Sequence, residues 1–120
     1  MDRRRRRYPL MLSTHVLDLA AGAPAEGIAV TLYRIDGERR RLASAKTDAD
    51  GRIPAPFGGA LEPGTYEIVF AVGLYFAVRK QLGGAFYDEI PVRFRIESAD
   101  AKYHVPLLLA PWGYSTYRGS

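Results

Sequence analysis

Two histidines, His15 and His104, are the only imidazoles in the sequence. They are the side chains best suited to move a proton near neutral pH. They sit in Ser13-Thr14-His15-Val16-Leu17-Asp18 and in Lys102-Tyr103-His104-Val105-Pro106-Leu107, two segments that alternate like strands. Alternation gives His15 one face with Ser13 and Leu17, and gives His104 one face with Lys102, Pro106 and Leu108. Taken singly, each fits a hydrogen-bonded histidine at a sheet surface as well as it fits a catalyst. Arg52 directly follows the turn Asp48-Ala49-Asp50-Gly51. An arginine there is either a solvated strand-end charge or a fork of donors aimed into a cleft. The chain ends Tyr114-Ser115-Thr116-Tyr117-Arg118-Gly119-Ser120 without a ragged polar tail. Such an ending would hold Arg118 and the terminal carboxylate at a defined place, whereas most domains end in dispensable residues.

Other chemistries are excluded or disfavoured. There are no cysteines, so disulfides, thiolate metal sites and cysteine nucleophiles are absent. Asp48, Asp50 and Gly51 resemble the start of a calcium loop, but glycine follows the second aspartate directly and no closing glutamate stands at the loop end. This segment reads as a turn between strands. A zinc site on the two histidines would need further ligands that the sequence does not mark. No metal or other cofactor is expected.

The elements that must position these residues are mostly strands. Residues 28–33 alternate, with Ile28, Val30 and Leu32 on one side, and Asp36-Gly37 is a hairpin signal. Residues 39–47 read as the return strand. Tyr66, Ile68 and Phe70 alternate, as do Ile90, Val92, Phe94 and Ile96. Residues 73–81 break the alternation and lack proline, which predicts a short helix. Residues 103–109 and 114–119 read as the last two strands, joined at Pro111-Trp112-Gly113. Seven or eight short strands with one short helix predict an all-β fold, an antiparallel β-sandwich. The length of 120 residues fits a single domain.

The formal net charge of +4 comes from 17 basic and 13 acidic residues. Arg3, Arg4, Arg5, Arg6 and Arg7 supply five of the bases and Asp2 one of the acids, which leaves twelve of each in residues 8–120. The basic character belongs to a short head, and the part behind it is neutral. Residues 1–10 therefore read as a disordered basic extension and residues 11–120 as the domain, with Met11 as an alternative start. Five adjacent arginines could bind phosphate non-specifically, but the neutral remainder carries no nucleic-acid reading motif, and no nucleic-acid partner is expected. No stretch approaches the about 18 apolar residues of a membrane span. Leu10, Met11 and Leu12 are too short a run for a signal peptide. A soluble, cytoplasmic protein is expected, consistent with the absence of cysteine.

Nearly the whole chain, from about Leu12 to Ser120, resembles the 5-hydroxyisourate hydrolases, the enzyme branch of the transthyretin-like proteins. The resemblance rests on Leu12-Ser13-Thr14-His15-Val16-Leu17-Asp18, Gly22-Ala23-Pro24-Ala25, Thr47-Asp48-Ala49-Asp50-Gly51-Arg52, Tyr103-His104-Val105-Pro106-Leu107-Leu108 and Tyr117-Arg118-Gly119-Ser120. The turn motif alone is weak, whereas the C-terminal tetrapeptide with both histidine motifs is specific, because hormone-binding transthyretins lack that combination. Two departures stand out: Lys102 occupies a position where many members have histidine, and Ala110 one where many have serine.

The resemblance implies a transthyretin-like sandwich that assembles as a homotetramer, with sites at the interface between dimers. It implies hydrolysis of 5-hydroxyisourate to 2-oxo-4-hydroxy-4-carboxy-5-ureidoimidazoline in urate breakdown, by opening a cyclic amide. Carried over by motif, the catalytic residues are His15, Arg52, His104 and Ser120, and the substrate-binding residues Arg52, Tyr117, Arg118 and Gly119. Either histidine could serve as the base for water, with the other orienting or polarising the substrate. Arginine is permanently charged and suits a developing oxyanion. The rival readings are a non-catalytic transthyretin-like module binding a small ligand, which would need neither two titrating groups nor two arginines, and a structural sandwich domain, which leaves the C-terminal motif unexplained.

Overall fold

The computed structural model describes residues 11–79 and 84–120. The basic head at 1–10 and the last two residues of the expected helix, Lys80 and Gln81, lie outside the described residues. The elements run β1 (Leu12–Asp18), β2 (Ala23–Pro24), β3 (Ala29–Asp36), β4 (Glu38–Lys46), β5 (Arg52–Ile53), β6 (Gly64–Phe70), α1 (Val72–Arg79), β7 (Ile90–Ile96), β8 (Tyr103–Ala110) and β9 (Gly113–Thr116). Among the described residues, seven strands have four or more residues, and two are two-residue pieces too short to show alternation. One sheet has the order β2-β1-β8-β9, with β5 also paired to β1; the other has the order β4-β3-β6-β7. The expected sandwich is present. Among the described residues every strand pairing is antiparallel except β1 with β8, which runs parallel.

The core forms where the inward faces of the two sheets meet. Leu12 and Val16 from β1, Val30 and Leu32 from β3, Tyr66, Ile68 and Phe70 from β6, Ile90 and Ile96 from β7, and Leu107 and Leu109 from β8 are all buried. These are the alternate positions that the period-two pattern selects. The helix α1 closes one end through Val72, Tyr75 and Phe76. It is tied to β1 by the Tyr75 hydroxyl, which donates to Asp18 Oδ2 at 2.8 Å. Burial, and then the Asp18 carboxylate, raise the Tyr75 pKa to about 12, so this donor keeps its proton. The other Asp18 oxygen accepts from Ala20 N and Ala21 N, which turns the chain out of β1. With its inner face fixed in this way, β1 must present Ser13, His15 and Leu17 outward, where all three are half-buried.

Candidate active site

Pairing brings the predicted residues of β1, β5 and β8 onto one outward face. His15 lies directly opposite Arg52 across the antiparallel β1–β5 pair. On the other side of β1, the parallel register sets Ser13 against His104 and His15 against Pro106. His15 and His104 are therefore diagonal neighbours on the same face, within reach of long side chains. Arg52 is placed by the turn before it. Asp48 Oδ1 accepts from Asp50 N at 2.9 Å and from Arg52 N at 3.0 Å, and Asp48 O accepts from Gly51 N at 2.8 Å. The turn reading of Asp48 and Asp50 agrees with this use of the Asp48 carboxylate.

Gly51 locks the turn to β1. Its carbonyl accepts from Val16 N at 2.7 Å, and its φ of +76° lies in the left-handed region. A Cβ there would run into the Val16 carbonyl and lie 3.2 Å from Pro24 Cβ. Gly51→Ala is expected to lower the free energy of unfolding by about 2–4 kcal/mol. Urea titration of the two proteins measures this difference.

His104 is held on several sides. Its Nδ1 lies 2.8 Å from Ser13 Oγ in a hydrogen bond. Its carbonyl accepts from Gly119 N at 2.7 Å, so the C-terminal tail is stitched back onto β8. The Cβ that Gly119 lacks would lie 2.6 Å from His104 Cδ2 and 3.2 Å from Pro106 Cγ. Glycine is required here because the backbone rests against the imidazole. Burial lowers the His104 pKa most, the Arg52 charge and then the electrostatic influence of His15 lower it further, the Ser13 backbone opposes them, and Lys102 adds a smaller lowering effect. His104 is thus a neutral imidazole at neutral pH, half-buried and set among cationic groups.

The tail is an interrupted continuation of β9. Leu107 pairs with Thr116 and His104 with Gly119, one unbroken antiparallel register. Between them stands Pro106, which has no N–H to give, so the ladder lapses and then resumes. That register sets Tyr117 on the face of His104 and Pro106, 58% exposed. It turns Arg118 to the opposite side, where its guanidinium stacks 4.5 Å from the centre of the Tyr103 ring and donates to Lys102 O at 3.2 Å. Arg118 and Tyr117 border a cavity of about 170 Å³ that also includes Tyr103, His104, Val92 and Phe94. Ser120 is exposed beyond Gly119.

Of the residues expected from sequence, the single chain gathers His15, Arg52, His104 and Gly119, with Tyr117 on the same face. Arg118 borders a cavity with His104 and Tyr117 while its guanidinium lies over the Tyr103 ring, and Ser120 is exposed. Ser13 was not singled out from the sequence, although alternation had placed it beside His15. Its partner became visible only with the parallel register. The cluster offers a neutral imidazole, a second imidazole, a permanent cation and a face open to a small ligand, a set suited to water activation and oxyanion stabilisation.

The HIUase/Transthyretin family matches residues 12–119. The 5-hydroxyisourate hydrolase 2 of Rhizobium meliloti is 51% identical over 114 residues, covering 91% of this chain and 95% of that protein. The structure of Klebsiella pneumoniae 5-hydroxyisourate hydrolase superposes with a TM-score of 0.81 at 38% identity, over 92% of this chain and 99% of the other. Sea bream transthyretin in complex with thyroxine has a similar fold, with a TM-score of 0.78 at 27% identity, over 90% of this chain and 93% of the other. The architecture, the extent of the match and these identities together show that the chain belongs to the HIUase/Transthyretin family.

Proposed function

We propose that the chain hydrolyses 5-hydroxyisourate to 2-oxo-4-hydroxy-4-carboxy-5-ureidoimidazoline. The observation that carries this reading is the convergence of His15, Arg52 and the neutral His104 on one face. The identity to proteins named 5-hydroxyisourate hydrolase supports it. In this reading His104 takes a proton from water as the oxygen attacks the carbonyl of the cyclic amide. Arg52 stabilises the tetrahedral oxyanion, and His15 orients the ring by hydrogen bonding. Collapse of the oxyanion breaks the C–N bond, and the His104 imidazolium returns the proton to the leaving nitrogen. One water is added, the ring opens to a carboxylic acid that loses its proton to solvent, and the protein ends unchanged. The scheme uses no cofactor.

The same proposal includes a homotetramer whose sites lie where dimers meet. Leu19 at the end of β1 and Trp112 after β8 are 58% and 69% exposed, and Leu19 N donates to Leu109 O, which keeps the two chain segments adjacent. They supply apolar area for association. Arg118 and Ser120 enter the reading as residues that complete a cleft in the assembly. Residues 1–10 are treated as an extension outside the catalytic domain. Removing them is expected to change kcat/KM less than about twofold, since none of the residues assigned to the site lies among them. Loss of most of the activity would show that the head belongs to the enzyme.

The pH dependence follows from His104. Its lowered pKa keeps the base form populated below the ordinary histidine range, so kcat/KM is expected to stay level through neutrality. It should fall only at a pH below about 6.5, as His104 takes up a proton. A pH–rate profile whose acid limb lies at or above that value would remove His104 as the base.

The decay of freshly generated 5-hydroxyisourate, followed in the ultraviolet beside its decay in buffer, tests the function itself. A parallel thyroxine-displacement measurement tests the ligand-binding alternative. Rapid protein-dependent decay without displacement is the expected pair of results. Displacement without accelerated decay would favour a binding protein.

A further inference from the structure

The imidazole of His104 has two nitrogens, and its chemistry depends on which carries the proton. The ring is clamped by the Gly119 backbone and Pro106, while Nδ1 is spent on Ser13 Oγ at 2.8 Å. Nε2 is the nitrogen left for the cleft. The charged and titratable groups that act on the ring are Arg52 from β5, His15 from β1 and Lys102 just before β8, with Ser120 one residue past Gly119. Arg52 and Lys102 are cations and can only donate, so neither can accept a hydrogen bond from a proton-bearing nitrogen of the ring. Ser13 can accept through its hydroxyl, whereas neither cation can.

We propose that Ser13 is a positioning residue for His104: its hydroxyl accepts the Nδ1–H and leaves Nε2 as the unprotonated nitrogen facing the cleft. Ser13 touches no reacting atom in this arrangement. It acts through the orientation and tautomer of the ring, as a hydrogen-bond partner fixes the nitrogen roles of other functional histidines. The inference rests on the hydrolytic reading for its effect on rate, but the tautomer belongs to the folded protein alone.

Histidine-selective ¹⁵N NMR tests it directly, because the chain has only two histidines and His15→Asn assigns the spectrum. At about pH 8, above the lowered pKa of His104, the wild-type His104 should show a protonated Nδ1 and an unprotonated Nε2. Ser13→Ala should move both signals towards averaged values and lower kcat roughly tenfold, with KM changed less than about twofold. Ser13→Thr, which keeps the hydroxyl, should restore both the signals and the rate. A protonated Nε2 in the wild type would overturn the proposal, as would unchanged kcat in a folded Ser13→Ala. If Ser13→Ala fails to fold, the wild-type tautomer and the Ser13→Thr rate still decide. A wild type that shows the expected tautomer yet does not hydrolyse 5-hydroxyisourate would refute the function and leave the tautomer standing.

Discussion

Replacing His104 by alanine is expected to reduce kcat/KM for 5-hydroxyisourate by roughly 10²–10⁴-fold, the range a well-placed general base contributes. The effect is large because the mechanism gives this ring two proton transfers, from water and to the leaving nitrogen. The fold should survive. His104 is only half-buried on the outer face of β8, and the core contacts of that strand come from Tyr103, Val105, Leu107 and Leu109. The Ser13 hydroxyl that loses its partner lies on the same half-buried face. Loss of that hydrogen bond should cost about 1 kcal/mol. Steady-state kinetics beside a denaturation curve separates the two effects. Undiminished turnover would assign His104 a purely structural place.

Deleting Tyr117, Arg118, Gly119 and Ser120 is expected to lower activity at least about 100-fold while the β-sandwich remains folded. The ladder from Leu107 to Ala110 against Thr116 to Gly113 does not use the four residues, so β9 stays paired. The Thr116 hydroxyl still donates to Pro106 O at 2.7 Å. What is lost is the backbone that rests on the His104 ring and the donor to its carbonyl. An unclamped imidazole samples rotamers, and small misplacements of a catalytic group are costly. Circular dichroism should match the full chain. Normal turnover in the shortened chain would remove the tail from the mechanism.

Alternation alone was enough to read the framework. The span Ile90–Ile96 is the same in sequence and structure, and the outward placement of His15 and His104 follows from a period of two. Three relations were hidden. Parallel and antiparallel strands share that period, so nothing in residues 12–18 and 103–110 announces that β1 and β8 run the same way. Arg52 and Ile53 form a strand only through their partners on β1, Thr14 and His15, and a two-residue piece has no pattern of its own. In the tail, the side chosen by each residue depends on a ladder that skips Pro106. The resemblance gives Arg118 as a substrate ligand, and within one chain its guanidinium stacks on Tyr103. Gly119 reads as substrate-binding, and the structure gives it a packing reason beside His104. The histidine and arginine types were legible because chemistry is written in side chains. Their contacts were not, because register is set by tertiary pairing.

The most direct measurement of the central claim is the first-order decay constant of freshly generated 5-hydroxyisourate as a function of protein concentration, for the wild type and for His104→Ala. A linear rise above the buffer value is expected for the wild type, with a slope at least about 100-fold smaller for the variant. A wild-type slope of zero, or equal slopes for the two proteins, would contradict it.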